Sequence, residues 1–181
     1  MVDTAQSAYH VLFQARDFLR SYMNGAGELG VINGESTVDG HAAPEVQPSD
    51  ILTGDGRIPP QSAQWVVLSI SAAPERLGLN IGVSRTTYRL SVIAGLRSQT
   101  WTTTAINTAA VTTDDAGWLR AHLLARAAHS VIQRHLQTTT GVINVTHAGT
   151  SQRAAGTKKP GVYEVENRFD VLVRTDNTAF S

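Results

Sequence analysis

The segment formed by residues 163–174 constrains the fold more than any other part of the chain. Its sequence is YEVENRFDVLVR, in which apolar and charged side chains alternate. Successive side chains of a β-strand point to opposite faces, so the pattern predicts a strand with one buried and one charged face. The buried set is Tyr163, Val165, Phe169, Val171 and Val173. The charged set is Glu164, Glu166, Arg168, Asp170 and Arg174.

Two segments have the periodicity of long amphipathic helices. Apolar residues recur at spacings of three and four over residues 4–23, and again over residues 114–137. Asp114 and Asp115 stand where an N-terminal cap is expected, and Gly141 follows the end of the second helix. The second helix is expected to bury Ala116, Leu119, Leu123, Leu124, Ala127, Ala128, Val131, Ile132 and Leu136.

Three further strands are predicted, at residues 65–71, 85–97 and 142–145. The segment at 65–71 is apolar on both faces, which is typical of an interior strand. Glycine and proline predict a long irregular loop at 25–64, in which Ile51 and Leu52 are expected to contact the core. A turn or protruding loop is predicted at 72–82 and a basic loop at 146–161. Residues 98–113 form an insertion, and their pattern does not distinguish an extended arm, a strand and an irregular loop.

These elements predict a single α+β domain over residues 1–181. Its expected architecture is one mainly antiparallel sheet with two long helices packed on one face and long irregular loops. A chain of this length buries about two thirds of its unfolded surface, enough for an ordinary hydrophobic core. The absence of cysteine excludes disulfides and thiolate metal sites. With no signal-like N-terminus and no membrane-length apolar run, we expect a soluble protein made in the cytoplasm.

Charge is segregated along the chain although the formal net charge is zero. Residues 24–64 carry six acidic side chains against one basic one, whereas residues 76–159 carry ten basic against two acidic. This asymmetry is suited to contact between an acidic patch of one copy and a basic patch of the next, or to a polyanion facing the basic part. Solvated charges with no partner are the alternative.

No constellation of residues predicts catalysis. His122, Arg126, His129 and Gln133 share one polar stripe of the second helix, but two histidines seven residues apart lie roughly 10 Å apart along the axis. We interpret the stripe as a solvated or inter-subunit helix face. The carboxylates of the last strand are expected to form cross-strand ion pairs. The glycine-containing segments lack the context of a nucleotide-binding loop, so we predict no catalytic, cofactor-binding or metal-binding residue.

The order of these elements resembles the tail terminator and tail-completion proteins of long-tailed bacteriophages. The resemblance is carried by the N-terminal amphipathic helix and by four segments, DGRIPPQSAQWVVLSIS (55–71), TTYRLSVIAGLRS (86–98), DDAGWLRAHLLARAAHSVIQ (114–133) and YEVENRFDVLVRT (163–175). The resemblance covers most of the chain in the order of its helices and strands, and it rests on this pattern rather than on one unique motif. The long 25–64 loop and the 98–113 insertion depart from the smaller members and are candidate docking arms.

The resemblance implies a structural virion protein without enzymatic activity or cofactor. Such a protein forms a ring, hexameric in this family, that caps the tail tube and joins it to the neck or head-completion proteins while DNA passes through the channel. It would be made in the host cytoplasm, act in the virion tail or neck, and need no membrane. Candidate inter-subunit or lumen contacts are Arg89, Arg97, Arg153, Lys158, Lys159, Glu164, Glu166, Arg168, Asp170 and Arg174.

Two alternatives remain open on the sequence. Another neck component, namely a head-completion, adaptor or stopper protein, would use similar rings in a different layer. A small cytosolic α+β enzyme or ligand-binding domain belongs to a different class. The basic loop with Arg153, Lys158 and Lys159 is interpreted as a flexible hairpin tip, with contact to a phosphate backbone as the competing hypothesis.

Overall fold

The structure, a computed structural model, describes residues 8–23, 46–54, 64–80, 83–97, 113–153 and 161–176. It contains two long helices, α1 (Ala8–Tyr22) and α2 (Thr113–His135). Its strands are β1 (Ile51–Thr53), β2 (Gln64–Asn80), β3 (Val83–Arg97), β4 (Val142–Arg153) and β5 (Val162–Asp176). Single 3₁₀ turns lie at Pro48–Asp50 and Leu136–Thr138. None of the helices in these ranges is long and apolar enough to cross a membrane.

The five strands form a single sheet in the order β1-β2-β3-β5-β4. β2, β3, β5 and β4 are antiparallel to their neighbours, whereas β1 runs parallel to β2. The predicted α+β class with one sheet and two helices is therefore confirmed. The sheet itself is mixed, because three residues of the predicted 25–64 loop add a parallel strand at one edge.

One hydrophobic core lies between the helices and one face of the sheet. Pairing of Val92 with Asn167 and of Leu90 with Phe169 places the odd-numbered residues of β5 on the helix side. α1 buries Val11, Leu12, Ala15 and Leu19 there, and α2 buries the predicted inward residues 123, 124, 127, 128, 131 and 132. The alternation of β5 thus has the buried face that the sequence predicted.

Two predicted loops are wrong because they continue as strands. Residues 72–80 belong to β2 and pair with β3, with a register shift between Ala72 and Arg76 that contains Pro74. A proline cannot donate to the ladder, and the irregularity accommodates it. β4 likewise runs to Arg153 instead of ending near residue 145, with a register shift between His147 and Gly149. In both cases a long partner strand supplies hydrogen bonds that local composition did not predict.

A third correction concerns residues 51–53. They form β1, which pairs with Val66 to Leu68 of β2, and the predicted contact of Ile51 with the core is confirmed because its side chain is fully buried. Arg20 of α1 donates from Nη2 to the Ile51 carbonyl at 2.9 Å and so joins the helix to this edge. Residues 25–45 and 55–63 of the predicted loop lie outside the described ranges, as do residues 98–112 of the predicted 98–113 insertion and residues 1–7. Residue 64 of the predicted loop begins β2, and residue 113 of the predicted insertion begins α2.

Candidate functional site

The sheet face opposite the helices carries most of the predicted contact residues, and we call it the charged face. It is formed by side chains whose strands and registers place them together, namely Arg85, Arg89, Arg97, Arg153, Glu164, Glu166, Arg168, Asp170 and Arg174. Eight of these nine were predicted from the sequence, and Arg85 is an addition. Lys158 and Lys159 lie outside the described residues.

Ion pairs on the charged face run between strands. Arg89 Nε of β3 lies 3.1 Å from Asp170 Oδ1 of β5, and Arg153 Nε of β4 lies 4.0 Å from Glu166 Oε2. Ser91 also donates its hydroxyl to Glu166. The predicted cross-strand pairing is confirmed for these carboxylates. Arg153 was expected in a flexible loop, and its position on β4 beside Glu166 corrects that interpretation.

Positive charge predominates on this face. The charged side chains that the structure describes on it are six arginines and three carboxylates. The register sets Arg85 of β3 directly opposite Arg174 of β5. A sheet face with more arginines than carboxylates is suited to an acidic surface or a polyanion. Trp65 lies on the same face, with the Arg97 guanidinium 5.4 Å from its ring centre.

A second site, which we call the histidine groove, lies between α2 and strands β4 and β5. Its volume is about 450 Å³, within the usual range of ligand pockets. It is lined by Leu119, His122, Leu123, Ala125, Arg126, His129, His147, Thr150 and Asn167. The polar stripe of α2 was interpreted as a solvated or inter-subunit face. His122 and Arg126 of this stripe are exposed, and the stripe also borders the part of β4 that was predicted as a loop.

Asn167 is the only buried polar residue on the core side among the described side chains. Its Nδ2 donates to the Ala125 carbonyl of α2 at 2.8 Å, and its Oδ1 accepts from Thr150 Oγ1 of β4 at 2.7 Å. His147 Nε2 lies 3.1 Å from the same Thr150 hydroxyl. One side chain thus joins α2, β5 and β4 at the base of the groove.

The histidines of the groove stack against buried Phe169. The rings of His129 and Phe169 lie 5.4 Å apart, and His129 meets His147 edge to face at 4.7 Å. Burial lowers the pKa of His129 below its ordinary value of 6.5, and the neighbouring His147 and Arg126 lower this pKa further. His129 is therefore held mainly neutral at pH 7 in the folded protein.

Other polar contacts fasten β4 to the helix. The amide nitrogens of Gln133 and Gln137 lie 3.1 and 3.3 Å from the Val145 carbonyl oxygen. His122 Nε2 lies 2.9 Å from the amide nitrogen of Gln152. His135, predicted to project away from the stripe, stacks on Tyr22 of α1 at 3.8 Å. Within the described ranges no three histidine, aspartate or glutamate side chains are grouped to hold a metal ion.

Comparison with known proteins returns no match to a family model and none to a curated protein. The two surfaces therefore have to be interpreted from their own geometry.

Sequence reasoning missed the groove for identifiable reasons. Asn167 occupies a buried position in the alternation of residues 163–174, and a lone polar residue there is a signal for a hydrogen-bonded site. His147 and Thr150 gave no comparable signal, because their segment was predicted to be a loop. The groove exists only when β4 pairs beyond Val145.

Proposed function

We propose that this protein is a structural virion component of the tail terminator type. In this proposal copies of the chain form a ring, hexameric by resemblance, that caps the tail tube and joins it to the neck. The ring acts through surface complementarity and carries no catalysis. DNA passes through its central channel.

The charged face is the observation that carries this proposal. Two helices cover one side of the sheet, while the other side gathers six arginines and three carboxylates from three strands. A neighbouring subunit with an acidic surface, or DNA in the channel, suits such a face. The acidic composition of residues 24–64 supplies the complementary charge within the same chain.

The edge strand β4 offers a second means of association. It is 12 residues long and occupies one end of the strand order. An edge strand can pair with a strand of another chain, and β4 contains no lysine or proline to prevent it. Ile143, an apolar residue of this strand, is 47% exposed. If subunits of the ring pair through this edge, the partner strand forms hydrogen bonds with main-chain N–H and C=O groups of β4 that otherwise face water.

The test is assembly of the purified protein with tail tubes. Electron microscopy is expected to show rings with an open centre, and added protein is expected to cap tube ends and stop their growth. A protein that remains monomeric alone but caps tubes agrees with the proposal, because assembly can require the tube. Failure to bind tube ends, with binding to isolated necks or heads, supports the alternative neck component.

Charge reversal on the charged face separates assembly from folding. Arg89→Glu combined with Arg168→Glu is expected to abolish rings and tube capping while lowering the free energy of unfolding by about 1–2 kcal/mol, because Arg89→Glu removes the exposed ion pair with Asp170 and places a like charge opposite it. Arg134→Glu, an exposed position on α2, is the matched control and is expected to assemble normally. Normal capping by the double variant contradicts the proposed contact.

Reversal of Arg153, Lys158 and Lys159 together extends the test to the hairpin that joins β4 to β5. We expect impaired joining of heads to tails with an intact fold. Normal numbers of infectious, joined particles from this triple variant contradict a role for these cations.

A further inference from the structure

The histidine groove combines an apolar floor with a basic rim. Leu119, Leu123 and Ala125 provide aliphatic surface, and Phe169 packs beneath the imidazoles. The basic groups of the lining are His122, Arg126, His129 and His147, and none of the described residues that line the groove is a carboxylate. A pocket of this composition favours a ligand that has an apolar body and a negative charge.

The described parts of α2, β4 and β5 add no acidic side chain to the lining of the groove. α2 contributes His122, Arg126 and His129, and β4 contributes His147. β5 contributes only Asn167 to the lining, because the register places Glu164, Glu166 and Asp170 on the charged face. Among the described residues, the basic groups of the groove therefore lie together without a carboxylate in the lining. An anion bound there favours the charged form of His129 and pairs with Arg126.

Hydrogen bonding determines which nitrogen of His147 is protonated. The Ala125 carbonyl can only accept, so the amide nitrogen of Asn167 faces it and Oδ1 faces Thr150. Thr150 uses its single proton on Oδ1, and its oxygen must therefore accept from His147 Nε2–H. This leaves Nδ1 as the nitrogen of His147 that takes up a proton when the ring becomes charged.

We propose that the histidine groove binds a small organic anion, with a carboxylate or phosphate monoester on an aromatic or aliphatic body. The anionic group contacts Arg126 and the imidazoles, and the apolar body covers Leu119 and Leu123. Thr150 and Asn167 hold the His147 ring through Nε2–H, so that His147 donates from Nδ1 only when the ring is charged. This site goes beyond the assembly function, and binding to the isolated protein tests it independently of ring formation.

Benzoate and phenyl phosphate are suitable probes, with benzamide and inorganic phosphate as comparators. Calorimetric titration at pH 6 is expected to give saturable binding with one site for at least one of the two anions. Each comparator is expected to bind at least about tenfold more weakly, because benzamide lacks the charge and inorganic phosphate lacks the apolar body. Affinity is expected to fall as the pH rises from 5.5 to 8, because the charged form of His129, which a bound anion favours, is lost.

Nitrogen chemical shifts of the imidazoles provide a second readout. Binding of the anion is expected to raise the pKa of His129, because a nearby negative charge favours the charged imidazole. A bound anion that leaves the titration of His129 unchanged contradicts contact with the groove.

Matched variants locate the site. Arg126→Gln is expected to weaken anion binding about tenfold, whereas Arg134→Gln on the same helix is expected to leave it unchanged. Both positions are exposed, so the fold should tolerate both changes. If Arg126→Gln unfolds, His147→Gln at an exposed position of β4 replaces it with the same expectation. The proposal is overturned if the groove variant and the Arg134→Gln control weaken binding equally. It is also overturned if benzamide binds as tightly as benzoate, or if neither anion shows saturable binding.

Discussion

Replacement of Asn167 tests the polar connection between α2, β5 and β4. Asn167 is 3% exposed and makes hydrogen bonds of 2.8 Å to Ala125 O and 2.7 Å from Thr150. A hydrogen bond contributes about 1 kcal/mol net, so Asn167→Ala should cost about 2 kcal/mol for the two bonds. This corresponds to a fall in Tm of roughly 4–8 °C for a domain of this size. Urea unfolding followed by circular dichroism, with an unchanged m-value, measures the effect.

Asn167→Asp is a more sensitive test of the same hydrogen bonds, because it preserves the shape of the side chain and removes its hydrogen-bond donor. At pH 7 a buried carboxylate would face the Ala125 carbonyl, and we expect a cost of about 3–5 kcal/mol. Burial raises the pKa of the introduced carboxyl in the folded state, so its protonated form is favoured there. The penalty is present above that folded pKa and decreases as the pH falls through it, because the protonated carboxyl can donate to the carbonyl.

Two control variants separate the effect of Asn167 from that of other polar residues of β4. Asn144→Ala, on exposed β4 with one bond to Thr146, is expected to cost less than about 0.5 kcal/mol. Thr150→Val keeps the bond of Asn167 to the Ala125 carbonyl but removes the bonds of Thr150 to Asn167 and to His147, and it should cost about 1 kcal/mol because Thr150 is exposed. An Asn167→Ala variant as stable as the wild type, or an Asn167→Asp variant without pH-dependent loss, refutes the reasoning.

Three further predictions test packing and titration. Gly117→Ala should lower the free energy of unfolding by about 1–3 kcal/mol, since a Cβ there would overlap the Tyr163 ring, and a variant more stable than the wild type contradicts this. Leu124→Asp and Val92→Asp, at fully buried positions, should each abolish cooperative thermal unfolding, and retention of a sharp transition argues against the core. The folded-state pKa of His129 is lowered, so its contribution to stability is present above pH 6.5 and is lost as the pH falls through that lowered value. His129→Gln should therefore reduce the loss of stability between pH 7.5 and 5, and an unchanged pH dependence is the contrary result.

Several elements were predictable because their information is local. The alternation of β5 and the apolar spacing of α2 arise from the periods of strand and helix, which the order of residues displays directly. The charged residues of β5 were therefore assigned to one face correctly. Their partners Arg89 and Arg153 depend on register, and the pairing of residue 89 with residue 170 is visible only in the sheet.

Other features could not be obtained from local patterns. Residues 51–53 and 146–153 have weak strand signals, and each becomes a strand because a neighbouring strand supplies hydrogen bonds. The histidine groove follows from the second of these pairings, which brings His147 beside His129 of α2. Three residues far apart in the chain, Ala125, Thr150 and Asn167, then share one set of hydrogen bonds.

The sequence alone determined the α+β class, the buried and charged faces of β5, and the inward side of α2, because side-chain periodicity records which face meets water. Only the tertiary structure decided where β2 and β4 end, that β1 exists, and that the polar stripe of α2 lines a groove. Those outcomes depend on long-range pairing between strands. A strand at the edge of a sheet is stabilised by hydrogen bonds to its neighbouring strand. Its own residues do not show which strand that neighbour is.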